Sequence, residues 1–344
     1  MSSGIVQLIA VGAQDEHIIG DPEISFFTST FKRHSNFSQS LEKQTIQGAV
    51  KNNSMSSIRF ERNGDLLGYT YFTLDNNTNS VDIQDWGRVI DKVELLIGGQ
   101  VIDVQDHDFT EKIAIDTYAQ NVTKSSNGTH PGASARSYFY PLRFFFCEGP
   151  QSAIPLVALQ YHTVDLRIYW GPEASNYNVE AYANYYYLDN EERGMMTSRK
   201  HDILITQVQK NIPSGELVQE LMFNHPVKYI ACSNTNSEST LTSIDNKIKM
   251  SINGTDIGAY KFAKPHYVDI MSYYHTNFVT SPDFFLHCFC LNTSSLQPSG
   301  SLNFSRLDSV KIHSETKPLI DPIYGVNYNI LRVNNGMAGL MYAN

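Results

Sequence analysis

The residues best suited to chemistry sit near position 288. Cys288 and Cys290 are separated by one residue, and His287 precedes them. Two thiolates and an imidazole bind zinc when a second ligand pair follows at regular spacing. No such pair follows, so free thiols are the simpler reading. Cys147 and Cys232 stand alone, and four cysteines in 344 residues are too few for a disulfide scaffold. A reducing compartment is the expectation. His162, His287 and His313 fall on or beside strand-like stretches, where a satisfied surface or interface histidine is expected rather than a base or ligand. No nucleophile elbow, phosphate loop or paired-carboxylate motif is present. No catalytic, cofactor-binding or metal residue is therefore assigned, and an enzyme is not expected.

Charge narrows the partners. The net charge of −9 sets the chain against a phosphate backbone, so direct nucleic-acid binding is not expected. Phe31-Lys32-Arg33-His34 is one early cationic cluster, read as a solvated turn. The opening Met1 to Ala13 has no basic start and no long apolar run, which argues against a secretory leader. The longest apolar stretches, such as 154–159, fall short of a membrane span. Sequons at Asn121-Val122-Thr123 and Asn127-Gly128-Thr129 are weak signs of glycosylation in that setting.

The elements that carry these residues read as strands. Ile248, Met250 and Ile252 alternate with polar residues; so do Val164, Leu166 and Ile168, and Val310 and Ile312. A period of two puts one face in a core and the other in water. Asn253-Gly254, Gly98-Gly99 and Asn63-Gly64 suit tight hairpins. Asp108-Phe109-Thr110-Glu111 resembles a capping box and predicts one short helix inserted between strands. Aromatic residues make up 12% of the chain, which suits β-structure and broad interfaces.

An internal repeat organises the whole. The run from Pro155 through Leu159, Tyr161 and Asp165 aligns with Pro298, Leu302, Phe304 and Asp308 at a constant offset of 143. The offset then slips to 144, pairing Leu166 with Val310, as a β-bulge would produce. Residues 93–102 align with 248–257 at an offset of 155, and the helix near Asp108 would account for the difference as an insertion in the first copy. These motif residues are read as structural. Arg306 and Asp308, at strand spacing on one face, are expected to pair with each other or across a subunit boundary. The chain is expected to be all-β: two tandem eight-stranded antiparallel jelly-roll sandwiches with short inserted helices. The expected divisions are an N-terminal arm over 1–25, a first jelly roll over 26–192, and a second with a C-terminal tail over 200–344. The boundary falls in the charged stretch from Asp189 to Gly194, where a glycine interrupts the strand pattern.

These motifs resemble the major capsid proteins of nucleocytoplasmic large DNA viruses, the chlorella-virus, iridovirus and mimivirus type. The resemblance runs in order through Val6–Asp15, Gly20-Asp21-Pro22, Phe26-Phe27, Arg33–Phe37, Pro155–His162, Phe223–Tyr229, Gln297–Asp308, Asn327–Arg332 and Gly336–Asn344. It implies a homotrimeric capsomer of pseudo-sixfold outline, tiling an icosahedral shell over an internal viral membrane. The N-terminal segment would lie on the inner side of that shell. It further implies neighbouring capsomers and minor capsid and penton proteins as partners, no cofactor, and a virion capsid assembled in the host cell cytoplasm. Between Tyr229 and Ile248 the chain has only a short polar loop, Ser233–Thr240, where larger family members carry outward towers. A minor capsid paralogue of the same fold is therefore the alternative. From another class, a carbohydrate-binding jelly roll would need exposed aromatics such as Tyr185, Tyr186 and Tyr187 along one sheet, and a cupin-type enzyme would need a metal cluster inside one barrel.

Overall fold

The computed structural model describes residues 3–74, 86–118, 120, 139–233, 240–277 and 283–343. Two compact units are distinguished, Met1–Asn36 and Phe37–Asn344. The first holds two short helices, Ser3–Ile9 and Glu16–Ile19. The loop residues 234–239 and both sequons near 121–129 lie outside the described residues.

Ten strands form the first half of the larger unit: β1 (Phe37–Gln44), β2 (Ile46–Gln47), β3 (Met55–Phe60), β4 (Leu66–Leu74), β5 (Ile90–Ile97), β6 (Gln100–Asp106), β7 (Phe139–Pro141), β8 (Ile154–Pro155), β9 (Val164–Trp170) and β10 (Val179–Leu188). They build two sheets, ordered β1-β10-β4-β7, with β8 on β4, and β2-β3-β9-β5-β6. The second half holds β11 (His201–Asn211), β12 (Val218–Glu220), β13 (Pro226–Ser233), β14 (Lys247–Ile252), β15 (Thr255–Asp256), β16 (Lys261–Phe262), β17 (Phe284–Cys288), β18 (Leu302–Asn303), β19 (Val310–Ser314), β20 (Ile323–Asn334) and β21 (Met337–Leu340). Its sheets run β11-β20-β13-β17, with β18 on β13 and β21 on β20, and β12-β19-β14-β15, with β16 on β14. The order repeats: first, tenth, fourth and seventh strands correspond to eleventh, twentieth, thirteenth and seventeenth. Every recorded strand pairing stays within its own half.

The alternation read in the sequence appears as burial. Along β9 every second residue is buried, from Val164 to Trp170, and β19 buries Val310, Ile312 and Ser314. Each set lines a sandwich interior while the intervening side chains face outward. The Asn253-Gly254 hairpin turns with both residues at positive φ, 48° and 78°, which asparagine and glycine tolerate.

Two expectations are corrected. The helix near Asp108 exists, a π-turn Phe109–Ile113 running into Ala114–Thr117, but Asp108 does not cap it. The Phe109 N–H donates to Asp106 Oδ1 at 2.9 Å instead, because Asp108 is already helical and cannot reach forward. Nor is this helix an insertion. The second half has its own, Lys264–Ile270 into Met271–His275, and 264 against 109 keeps the hairpin's offset of 155. The extra length of the first copy falls after Tyr118, before β7, rather than in the helix. The stretch from Asp189 to Gly194 interrupts the strands as a helix. Asp189 caps the helix Asn190–Ser198 by accepting the Glu192 N–H at 2.9 Å.

That connecting helix is anchored by a fork. Arg193 donates from Nε and a terminal nitrogen to the two oxygens of Asp65, both at 2.9 Å, and Asp65 also accepts the Leu188 N–H at 2.8 Å. Asp65 is buried while the arginine is half exposed. Removing the arginine leaves a buried carboxylate without its counter-ion. Arg193→Ala is expected to lower unfolding free energy by about 1–3 kcal/mol, read from urea midpoints.

Candidate functional site

Among the described residues no catalytic cluster is assembled; they converge instead on a seam between the two halves. Its apolar part has two components. Ile205, Leu331, Val333 and Ala338, all from the second half, complete the core of the first. In return, Phe109, Ile113, Ala114 and Tyr118 of the first-half helix pack on Tyr229, Ala231, Phe284, Leu286, Tyr324 and Val326. Each half therefore closes the other.

Polar groups fix the register of the seam. Asp103 on β6 is buried, and its Oδ1 accepts the Val208 N–H of β11 at 2.9 Å. The Val104 N–H and Gln105 Nε2 complete its shell at 3.0 and 2.9 Å. Burial outweighs these bonds and pushes the carboxyl up to about 7. Gln207 donates to the Ile102 carbonyl and accepts from Asn329 at 2.8 Å. Asp106 joins Lys210 at 2.6 Å and the Tyr324 hydroxyl at 2.7 Å; burial, and then the adjacent carboxylate, raises the phenol. His162 Nδ1 lies 2.9 Å from the Ala338 carbonyl oxygen and 3.2 Å from its nitrogen, so either tautomer finds a partner across the seam.

The repeated motif forms a corner in each half, but in a different register from the sequence alignment. Pairing puts β8 on Leu66-Leu67 and β18 on Pro226-Val227, and each is followed by a 3-10 turn, Leu156–Ala158 or Phe304–Arg306. The turns close alike, with the Leu159 N–H on Leu156 O and the Leu307 N–H on Phe304 O, both 3.1 Å. Equivalent residues are thus 148 apart (302 against 154, 307 against 159). In the next strand Val164 faces Ile97 and Val310 faces Ile252, an offset of 146. No bulge is recorded at Asp308; the first copy has two more residues between its turn and its strand. A slip of two in a strand leaves every apolar residue on its proper face, which is why the misalignment is invisible to a pattern of period two.

Individual motif residues have distinct places. Pro155 and Leu159 are buried, while Tyr161 is exposed and its N–H donates to the Gly336 carbonyl at 2.9 Å. Asp165 accepts from Arg59 at 2.9 Å and Thr163 at 2.8 Å. Pro298 is exposed, Leu302 half-buried, and Phe304 lies buried between Phe223 and Phe289, with ring centroids 5.7 and 6.0 Å away. Arg306 ends the 3-10 turn rather than a strand, so it does not share a strand face with Asp308. Both are exposed, and no ion pair joins them among the described residues. Asp308 instead offers its N–H to Asn253 Oδ1 at 3.0 Å.

The remaining candidates resolve structurally. Cys288 ends β17 and is half-buried, whereas Cys290 lies beyond the strand and is buried; all four cysteines are free. His287 is half-buried against the rings of Tyr267 and Phe289, and the desolvation of its imidazole lowers its pKa to about 4. His313 bonds Ser251 across the strands at 2.7 Å. Tyr185 is not an exposed sugar platform. It is fully buried in mid-sheet β10 and donates to Gln44 at 3.1 Å, and Tyr186 and Tyr187 are half-buried. The seam residues Asp103, Gln207 and Asn329 were missed by sequence reasoning. No local signal set them apart, since β6, β11 and β20 each carry several other polar residues.

Comparison with known proteins is consistent along the chain. A family model described as "Major capsid protein N-terminus" matches residues 25–183, and one described as "Large eukaryotic DNA virus major capsid protein" matches 192–339. The major capsid protein of Pyramimonas orientalis virus is 31% identical over 398 aligned positions, with 100% of both chains covered. That of Paramecium bursaria Chlorella virus 1 is 29% identical over 439, again with 100% of both. Among solved structures, a chain of the PBCV-1 virus capsid superposes with a TM-score of 0.76 at 25% identity, covering 93% of this chain and 100% of that one. The Faustovirus major capsid protein shares the fold at a TM-score of 0.66 and 13% identity, with 94% of each chain covered.

Proposed function

The chain belongs to the large eukaryotic DNA virus major capsid protein family, and on that premise we propose that its working unit is a homotrimer of hexagonal outline, set edge to edge in the shell. It is a viral capsid protein of double jelly-roll fold, and its work is structural rather than catalytic.

The matched strand order of the two halves carries the proposal. Three copies around a threefold axis offer six sandwiches of one plan, hence six near-equal sides, and closure of a head-to-tail contact makes a ring. The seam supports this by holding both sandwiches of a subunit in one fixed relation. We assign 26–192 and 200–344 to the two rolls, each built on eight main strands, and 1–25 to an N-terminal arm. The corner residues Pro155, Leu159, Tyr161, Asp165, Pro298, Leu302, Phe304, Arg306 and Asp308 serve these rolls and their contacts. Neighbouring capsomers, minor capsid and penton proteins and an underlying membrane complete the proposed setting, with assembly in the host cytoplasm.

Native mass spectrometry at micromolar concentration tests the unit. The expected species has three times the chain mass of 38.8 kDa, with hexagonal particles in electron micrographs. A population that is monomeric throughout would overturn the trimer.

A further inference from the structure

We propose that a cleft at the seam binds an amphiphilic carboxylate, with its acid group against the Lys228 ammonium and its apolar body along Phe145, Leu204 and Leu296. The cleft measures about 430 Å³, enough for a small organic ligand. The first half contributes Tyr118, Phe145 and Glu148, and the second contributes Leu204, Lys228 and Leu296.

The charges of the lining are unbalanced in one place. Glu148 is held by Arg143 at 3.5 Å, and Asp202, also on the cleft, by Arg332 at 2.8 and 3.1 Å. Lys228, 3% exposed, is the remaining charged residue of the lining, and no carboxylate pairs with it among the described residues. Its ammonium has three N–H donors; two go to the carbonyls of Thr293 at 2.7 Å and Ser295 at 3.2 Å. The Tyr328 ring, its centroid 5.6 Å from Nζ, and the neighbouring Cys288 and Cys290 also favour its charge, but none of them supplies the full negative charge of a carboxylate. Burial accordingly lowers its pKa to about 8. A buried cation without an anion is costly, and an incoming carboxylate would relieve that cost.

The rest of the lining selects an apolar body. Phe145 is buried, while Leu204 and Leu296 are 40% and 41% exposed, so the cleft runs from a charged interior to an apolar rim. Inorganic phosphate offers charge without that body, and 1-octanol offers the body without charge.

Calorimetric titration of the full chain with octanoate tests the site. One octanoate per chain is expected, with phosphate and 1-octanol at least tenfold weaker. Lys228→Met is expected to weaken octanoate at least tenfold, and affinity should fall between pH 7 and 9 as the lysine loses its proton. Should Lys228→Met fail to fold, Leu296→Glu at the exposed rim places a like charge on the lining and is expected to weaken octanoate alone. Absence of octanoate binding at millimolar concentration overturns the proposal. So does equal binding of all three probes, or octanoate affinity unchanged by the variant that folds. The readout is per chain and stands apart from the oligomeric state.

Discussion

Phe109→Ala should lower unfolding free energy by about 3–5 kcal/mol and split one transition into two. Phe109 is fully buried, and its ring centroid lies 5.9 Å from those of both Tyr118 and Tyr324. Tyr118 belongs to its own helix, whereas Tyr324 belongs to the other half's sheet. Alanine would leave a cavity where the halves meet, and Tyr324, held within a strand of the other half, cannot move in to fill it. The halves would then lose an apolar coupling while keeping their own sheets. Differential scanning calorimetry should show two overlapping transitions where the parent shows one. Phe109→Leu, which retains most of the volume, should keep the single transition. One sharp transition with a loss under about 1 kcal/mol in the alanine variant would show that the polar seam alone holds the halves together.

The second large effect is a pH dependence centred on Asp103. Its carboxyl is raised from 3.8 to about 7 in the folded chain by burial. Below 3.8 both folded and unfolded chains hold the proton, and the group favours neither. Between 3.8 and 7 the folded chain keeps a proton that the unfolded chain has lost, so stability falls as pH rises and levels off above 7. With about 1.4 kcal/mol per pKa unit, the span is of order 2–4 kcal/mol. Other groups act in the same scan. His287, lowered to about 4, contributes in the opposite sense, gaining stability as pH rises through that value toward 6.5. The comparison that isolates Asp103 is therefore with Asp103→Asn, which keeps an oxygen to accept the Val208 and Val104 N–H groups but cannot ionise. Urea midpoints from pH 5 to 8 should show the parent falling relative to the variant. Parallel curves would mean that the three hydrogen bonds hold the carboxylate charged throughout.

Much of the strand architecture could be read from residue order because a period of two translates directly into burial. Val164, Leu166 and Ile168, and Ile248 and Met250, all sit in the cores where alternation placed them. The Asn253-Gly254 hairpin was legible for the same local reason. What escaped was relational. The same periodicity that reveals a strand conceals its register, so Leu166 matched Val310 in sequence but takes the place of Ile312 in space. Tyr185 looked like a surface aromatic because its neighbours are tyrosines, yet β10 lies between two other strands and turns that ring inward. The second-half helix Lys264–His275 has no side-chain cap at Ala263, and the proline in its first turn, though compatible with a helix start, is a weak signal alone. The seam could not be foreseen at all, since Asp103 and Val208 are brought together by folding alone.

The mutual closure of the halves also governs how the chain must be made. The first core is finished only when Leu331, Val333 and Ala338 arrive, some 150 residues after Leu188 leaves the last strand of that half. At about 5–20 residues per second of synthesis, the earlier sandwich waits roughly 8–30 s with one wall missing. During that interval its unfinished apolar side faces the translation milieu, a window in which a chaperone has something to hold and a neighbouring nascent chain has something to steal.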